Sequence, residues 1–210
     1  MLKIGYLMPF YIIKNLPDHD SYLVGSPGSN VLAQLPHKYA FKQYMVGETG
    51  WGALFSIDGP RITLSQKSPH YIRRVLEYLL SFLYESHEIR IKRIASVQGA
   101  DFCKVSVESD EDSSSGIFAL CKELLKENAD EYFSCTICFV KYAKDRKEYI
   151  INALAPAPAG EIAEVIYFRD LHQATVFVNK EHLGKFMGAK GANVATAAKL
   201  VGARIDLKGI

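Results

Sequence analysis

The 210-residue sequence predicts an α+β protein: a small strand-built barrel or sandwich, then two successive units of mixed helix and strand. Three observations carry this. Residues 1–66 hold nine aromatic residues and short apolar runs between turn signals, with little helical periodicity. A strongly periodic helix starts abruptly after Ser68-Pro69. From there on, the chain runs through nearly the same order of elements twice, with a period of ~70 residues.

The elements follow in order. SPGS (26–29), VGETGWG (46–52) and DGP (58–60) read as turns between strands, and the closing run RITLSQ alternates Ile62 and Leu64 with polar neighbours. Ser68 suits a helix cap and Pro69 the first helical position. Ile72, Val75, Leu76, Leu79, Leu80 and Leu83 then recur at three- and four-residue steps, predicting an amphipathic helix to about Tyr84. Strands are expected at 88–97 and 101–108. In the second, Cys103, Val105 and Val107 face one way and Lys104, Ser106 and Glu108 the other. An acidic solvated loop ESDEDSSSG, one short helix IFALCKELLKE and a strand at 133–140 complete an α-β-β-α-β unit. The second unit has a helix at 145–154, a Pro-bearing linker APAPAG and strands at 162–168 and 174–179. A helical segment KEHLGKFM, the break GAKG, a helix ANVATAAKLV and a strand RIDL follow. Val194, Ala197, Ala198 and Val201 form the expected buried stripe of that helix, with Asn193 and Lys199 pointing elsewhere.

Composition excludes several classes. Hydrophobic residues are 49% and charged residues 23%, which suits folded units with ordinary cores. The net charge of +2 announces no global nucleic-acid field, so any such site must be a local patch. The N-terminal stretch has no signal-peptide pattern and no apolar run approaches a membrane helix. A cytoplasmic location with no membrane partner is expected. CTIC (Cys135, Cys138) has no second CxxC, and Cys103 and Cys121 lack zinc-like spacing, so buried free thiols are expected. The six histidines are dispersed and no P-loop or nucleophile elbow is present. No enzyme activity, metal or cofactor is expected. RIKR (90–93) and Arg73-Arg74 read as solvated faces, and the N-terminal aromatics, Trp51 included, as mostly core with one or two exposed rings able to stack bases.

The break GAKG (188–191) carries the functional reading. A helix that stops and restarts within four residues presents a fresh N-terminus, where the first N–H groups lack partners and the dipole end is positive. Glycines let a phosphate backbone approach, and Lys190 adds a mobile charge at the same place. These are the mechanics of a KH module, whose GXXG loop clamps single-stranded nucleic acid.

The surrounding pattern GxxGxNVxxAxKLxGxxIDL, with Gly188, Gly191, Asn193, Val194, Ala197, Lys199, Leu200, Gly202, Ile205 and Asp206 in place, resembles the second KH domain of the bacterial NusA transcription factor family. EYIINALAPA (148–157) is similar to the phrase joining the family's two KH units. RITLSQKSPHYIRRVLE (61–77) resembles the end of its S1 domain running into the first KH helix, and SNVLAQLP (29–36) fits the middle of an S1 barrel. The resemblance implies an S1/OB-type barrel at 1–66, a degenerate KH domain without GXXG at 67–144 and a type II KH domain at 145–210.

It further implies a non-enzymatic protein binding single-stranded RNA in transcription elongation, termination or antitermination. RNA polymerase and the ribosome both stand open as partners. A ribosome-associated or RNA-processing factor and a degenerate KH scaffold for protein interactions are the alternatives. The implied RNA-binding residues are Gly188, Ala189, Lys190, Gly191 and Asn193, with Lys180, Lys185 and Lys199 in support. The chain departs from the family in three ways. The first unit has Asp110, Glu111 and Asp112 where phosphate would sit. Ala189 and Ala195 stand where basic residues are usual. The chain begins almost at the S1-like region, without the long N-terminal helical domain that docks on polymerase.

Overall fold

The computed structural model describes residues 3–86, 88–97, 102–109, 114–126 and 129–210. They fall into two compact units, one reaching to Ser81 and taking in Leu124–Ser134, the other formed by Phe82–Glu123 and Cys135–Ile210.

The first unit is built on a closed five-stranded barrel of OB-like form. Strands β1 (Leu7–Leu16), β2 (Ser21–Gly25), β3 (Leu32–Pro36), β4 (Thr49–Asp58) and β5 (Arg61–Ser65) are ordered β1-β2-β3-β5-β4, and β1 pairs with β4 to close the ring. All pairs are antiparallel except β3 with β5. Alternation on β1 sends Met8, Phe10 and Ile12 inward to meet Tyr22, Val24, Leu35, Leu54 and Leu64. The stretch VGETGWG is only partly the turn expected of it, because β4 already begins at Thr49. Gly50 and Gly52 are glycines for packing: a Cβ at Gly50 would lie 2.8 Å from the Phe10 ring, and one at Gly52 would lie 3.2 Å from Leu64. Buried Gln66 plugs the barrel, its amide nitrogen donating to the Trp51 carbonyl at 2.9 Å and to the Tyr44 hydroxyl at 2.9 Å.

Helix α1 (Pro69–Leu79) starts as its sequence dictates. The Ser68 hydroxyl accepts from the Tyr71 N–H at 3.2 Å and Pro69 occupies the first turn. It buries Tyr71, Ile72, Val75 and Leu76. The helix expected to run to about Tyr84 is instead interrupted at Leu80 (φ −107°, ψ 23°) and resumes as α2 (Ser81–Glu85). Leu80 and Leu83 are both buried, so packing overrides an uninterrupted helical period.

In the second unit, β6 (Ile89–Ala95), β7 (Phe102–Ser109) and β8 (Thr136–Lys141) form one sheet, β6-β7 antiparallel and β7-β8 parallel. Between β7 and β8 lie α3 (Ser114–Lys126) and a four-residue α4 (Ala129–Tyr132), two helices where one was expected. Asp110, Glu111 and Asp112 lie outside the described residues. The second half repeats the plan. Helix α5 (Arg146–Ala153), capped by the Asp145 carboxylate, leads to β9 (Ile162–Phe168) and β10 (Gln173–Val178). Then come α6 (Leu183–Met187), α7 (Ala192–Val201) and β11 (Arg204–Gly209). Its sheet again has one antiparallel pair, β9-β10, and one parallel pair, β10-β11.

The two repeats share one core. Ala95, Val140 and Ala143 from the first join Tyr149, Ile150, Val176, Phe186, Leu200 and others from the second. The alternation expected of β7 therefore leaves neither face of its centre to water. Lys104 and Ser106 are fully buried like Cys103, Val105 and Val107, because the polar-looking strand face is covered too. The Lys104 ammonium donates to the carbonyls of Ala153 and Ala155 at the C-terminal end of α5, where a cation meets the negative end of the helix dipole.

Candidate nucleic-acid interface

The loop at 188–191 has the backbone its sequence calls for. Helix α6 ends on Gly188 (φ 69°, ψ 176°), whose N–H donates to the Gly184 carbonyl at 2.9 Å. Ala189–Gly191 form a single 3-10 turn, and the Gly191 N–H returns to the Gly188 carbonyl at 3.1 Å. Lys190 (φ 52°) and Gly191 (φ 76°) are both left-handed, after which α7 begins at Ala192. The two glycines serve different ends. A Cβ at Gly188 would come within 2.7 Å of the Asn193 Cβ, so that position is tight inside. A Cβ at Gly191 would meet nothing within 4 Å, so that position is open outside. Ala189 and Lys190 are exposed between them.

Asn193 sits differently from its expected place. It is buried on α7, and its amide nitrogen donates to the Leu154 carbonyl and the Phe186 carbonyl, each at 2.9 Å. One side chain thereby ties the ends of α5 and α6 to the start of α7. The buried stripe of α7 is Asn193, Thr196, Ala197, Leu200 and Val201, with Val194 and Ala198 only half-buried. The expected stripe is rotated by about one position, because the tie made by Asn193 sets the helix's roll.

The lysines divide into two groups. Lys185, in the last turn of α6, and Lys190, in the turn itself, are exposed beside the open glycine. Lys199, two turns further along α7, is exposed, but its ammonium donates to the Ser96 carbonyl at 2.8 Å and ties α7 to the chain after β6. Lys180 opens the 3-10 turn before α6, with its backbone N–H on the Ile210 carbonyl and its stem against Gly209. The structure thus brings Lys185, Gly188–Gly191 and Asn193 together as one local feature and spends Lys199 partly on packing. Asn193 as a tie and Lys104 as an internal cation had no local signature, since the carbonyls they serve lie far along the chain, those of Lys104 in the other repeat.

The barrel offers a second feature, an open cleft of about 580 Å³ whose lining includes Asn15, His37, Phe41, Lys42 and Gln43. The His37 ring nitrogens lie 2.8 Å from Asp20 Oδ1 and 3.0 Å from Asn15 Oδ1, which fixes the ring. Among the described residues no three of His, Cys, Asp and Glu gather into a metal-binding group. Cys103 and Cys121 are buried as expected, Cys135 and Cys138 are half-buried, and no disulfide joins the four. No helix among the described residues is long and apolar enough to cross a membrane.

Comparison with known proteins agrees with this geometry. Residues 146–210 match the model of the NusA-like second KH domain. The transcription termination/antitermination protein NusA of Rickettsia conorii is 28% identical over 151 residues, which is 71% of this chain and 30% of that protein. NusA of Bacillus subtilis is 28% identical over 161 residues, covering 71% of this chain and 40% of its own length. The chain therefore spans well under half the length of these relatives. A solved structure, the crystal structure of APE1850, is 17% identical with a TM-score of 0.40, covering 62% of this chain and 96% of that one. The resemblance read from GxxGxNVxxAxKLxGxxIDL is sustained: the chain is NusA-like.

Proposed function

We propose that this chain is an S1–KH–KH RNA-binding protein that clamps single-stranded RNA at Gly188–Gly191 and acts in transcription elongation, termination or antitermination. Its domains on this reading are an S1-type barrel at 1–66, a first KH unit without a clamp at 67–144 and a type II KH unit at 145–210. One observation carries the proposal. The open left-handed turn Lys190-Gly191, at the start of the ten-residue α7, lies inside the segment that matches a NusA-like second KH domain. Phosphates would approach the bare Gly191 with Lys185 and Lys190 beside them, and Asn193 would hold the turn in shape from within. The barrel cleft with Phe41 and Lys42 would offer single strands a separate contact. The protein works by binding alone in the cytoplasm, with no cofactor. RNA polymerase is the partner that a role in transcription would call for, and co-purification with polymerase or with ribosomes sorts the process.

The test is the double substitution Ala189→Asp, Lys190→Asp, assayed by fluorescence polarisation on a short labelled RNA. Both positions are exposed, and aspartate tolerates the left-handed backbone better than most residues, so the fold should survive. Binding should be lost while circular dichroism and melting stay unchanged; retained affinity refutes the clamp. In the unsubstituted chain only two lysines flank the loop. The slope of log K against log salt attributable to the clamp should then be shallow, about −1 to −1.5.

A further inference from the structure

We propose that a cavity on the barrel unit, remote in sequence from the loop at 188–191, is a binding site for one unstacked nucleobase of single-stranded RNA. The cavity measures about 240 Å³ and is lined by Leu7, Trp51, Val75, Tyr78 and Tyr132. Its walls come from three elements: Trp51 from β4, Tyr78 from α1 and Tyr132 from the end of α4. Trp51 faces outward because its neighbours Gly50 and Gly52 are the positions closed against Phe10 and Leu64. Leu7 and Val75 supply an aliphatic floor.

Two of the rings are left uncovered and Tyr132 is half-buried. Trp51 is 47% exposed and Tyr78 69% exposed. Among the described residues none of the three rings stacks on another ring. Large aromatic side chains usually gain by burying their faces against each other or a core. Three that converge on one cavity without doing so form a platform of the kind on which unpaired bases stack. The size agrees: at about 30 Å³ per water the space holds roughly eight waters, enough for one base and short of a drug-sized pocket.

Charge decides between a base and a cation. Aromatic walls also attract ammonium and guanidinium groups. Yet among the described residues no carboxylate lines the cavity, so a cation entering it would find no counter-ion among them. The nearby carboxylates lie outside the lining: Glu77, held by Arg74 at 2.9 Å, and Asp130 and Glu131 on α4. A neutral flat base avoids that cost. Its phosphate would leave along α1, where Arg74 and His70 stand one and two turns before Tyr78 on the same exposed face, and away from the acidic α4. Arg74 is the exposed member of its pair with half-buried Glu77, so its guanidinium can reach a phosphate in solvent.

The inference rests on the proposed function only for the identity of the polymer. Trp51 is the single tryptophan, so its fluorescence reports this cavity alone. The full chain carrying Ala189→Asp, Lys190→Asp is titrated with AMP and with a tetra-adenylate, reading tryptophan emission. Saturable quenching by both is expected. Tyr78→Ala, at an exposed position, should weaken it at least about fivefold, and Arg74→Ala should weaken it for AMP but not for adenosine. Absence of saturable quenching overturns the proposal, as does equal quenching by tetramethylammonium or by N-acetyl-leucine amide, which would assign a cation or an apolar side chain instead. The two readings fail separately. RNA binding without Trp51 quenching leaves the clamp standing and removes this site; quenching in a chain whose RNA affinity ignores the clamp substitutions does the reverse.

Discussion

Asn193 shows how one polar residue can set the shape of a loop from within the fold. Its amide nitrogen supplies both donors that the Leu154 and Phe186 carbonyls receive from it, and its Cβ stands where a side chain at Gly188 would go. Asn193→Ala should leave two buried carbonyls short of a donor and lower stability by about 2 kcal/mol. Asn193→Asp should cost more, since a carboxylate cannot donate and would face two carbonyl oxygens. Urea unfolding with a parallel RNA titration checks this: both variants should lose stability and RNA affinity together, and full stability in Asn193→Asp would remove the tie. At this scale the sequence was legible where chemistry is local. Ser68-Pro69 capped a helix and Gly188–Gly191 broke one, because caps and left-handed turns depend on a few adjacent residues. Asn193 was misplaced because the carbonyls it serves come from 7 and 39 residues away.

Strand β7 carries the same lesson for an element. Its alternation was real, yet both of its faces are buried, and the buried Lys104 ammonium holds the last carbonyls of α5. Periodicity reports which residues share a face; whether water or another repeat lies over that face is a tertiary fact. Glycines inside β4 were likewise read as a turn, since nothing local shows that the Phe10 ring needs their space. Burial pushes Lys104 down to about 8, below its usual value of about 10.4. Between those values the unfolded chain binds more protons than the native one, so this residue contributes stability that rises with pH. The buried thiols act oppositely: Cys103 is pushed up, and Cys121 up to about 11, so the unfolded chain loses their protons first. Two thiols outweigh one amine, and stability should fall from about pH 8.5 upward. Lys104→Met should make that fall steeper, as read from urea midpoints between about pH 7 and 10.5. Parallel pH profiles for the two proteins would refute the assignment.

For the whole molecule, the repeat was legible but its consequence was not. Two copies of one element order suggest two independent modules, each with its own core. Instead Ala95, Val140 and Ala143 are built into the core of the second repeat. Lys104 and Lys199 bond across the repeats, and Asn152 donates to the Lys141 carbonyl. Sequence periodicity cannot reveal such sharing, because a small apolar residue on a sheet looks the same whichever core it enters. The loop at 188–191 therefore depends on the first repeat even though that repeat has no GXXG. A fragment of 145–210 would expose the surfaces that Ala95 and Val140 cover and would lose Lys104 from the end of α5. At that size the remaining core stabilises little. The fragment should melt broadly and bind RNA weakly, whereas 82–210, which keeps the shared core, should unfold in one cooperative step and hold the clamp. Circular dichroism melts and RNA titrations of the two fragments decide it, and a sharp, high melt for 145–210 would make the first repeat dispensable. On this view the first repeat is the half of a core against which α7 packs, and through α7 it keeps the turn at Lys190-Gly191 in place.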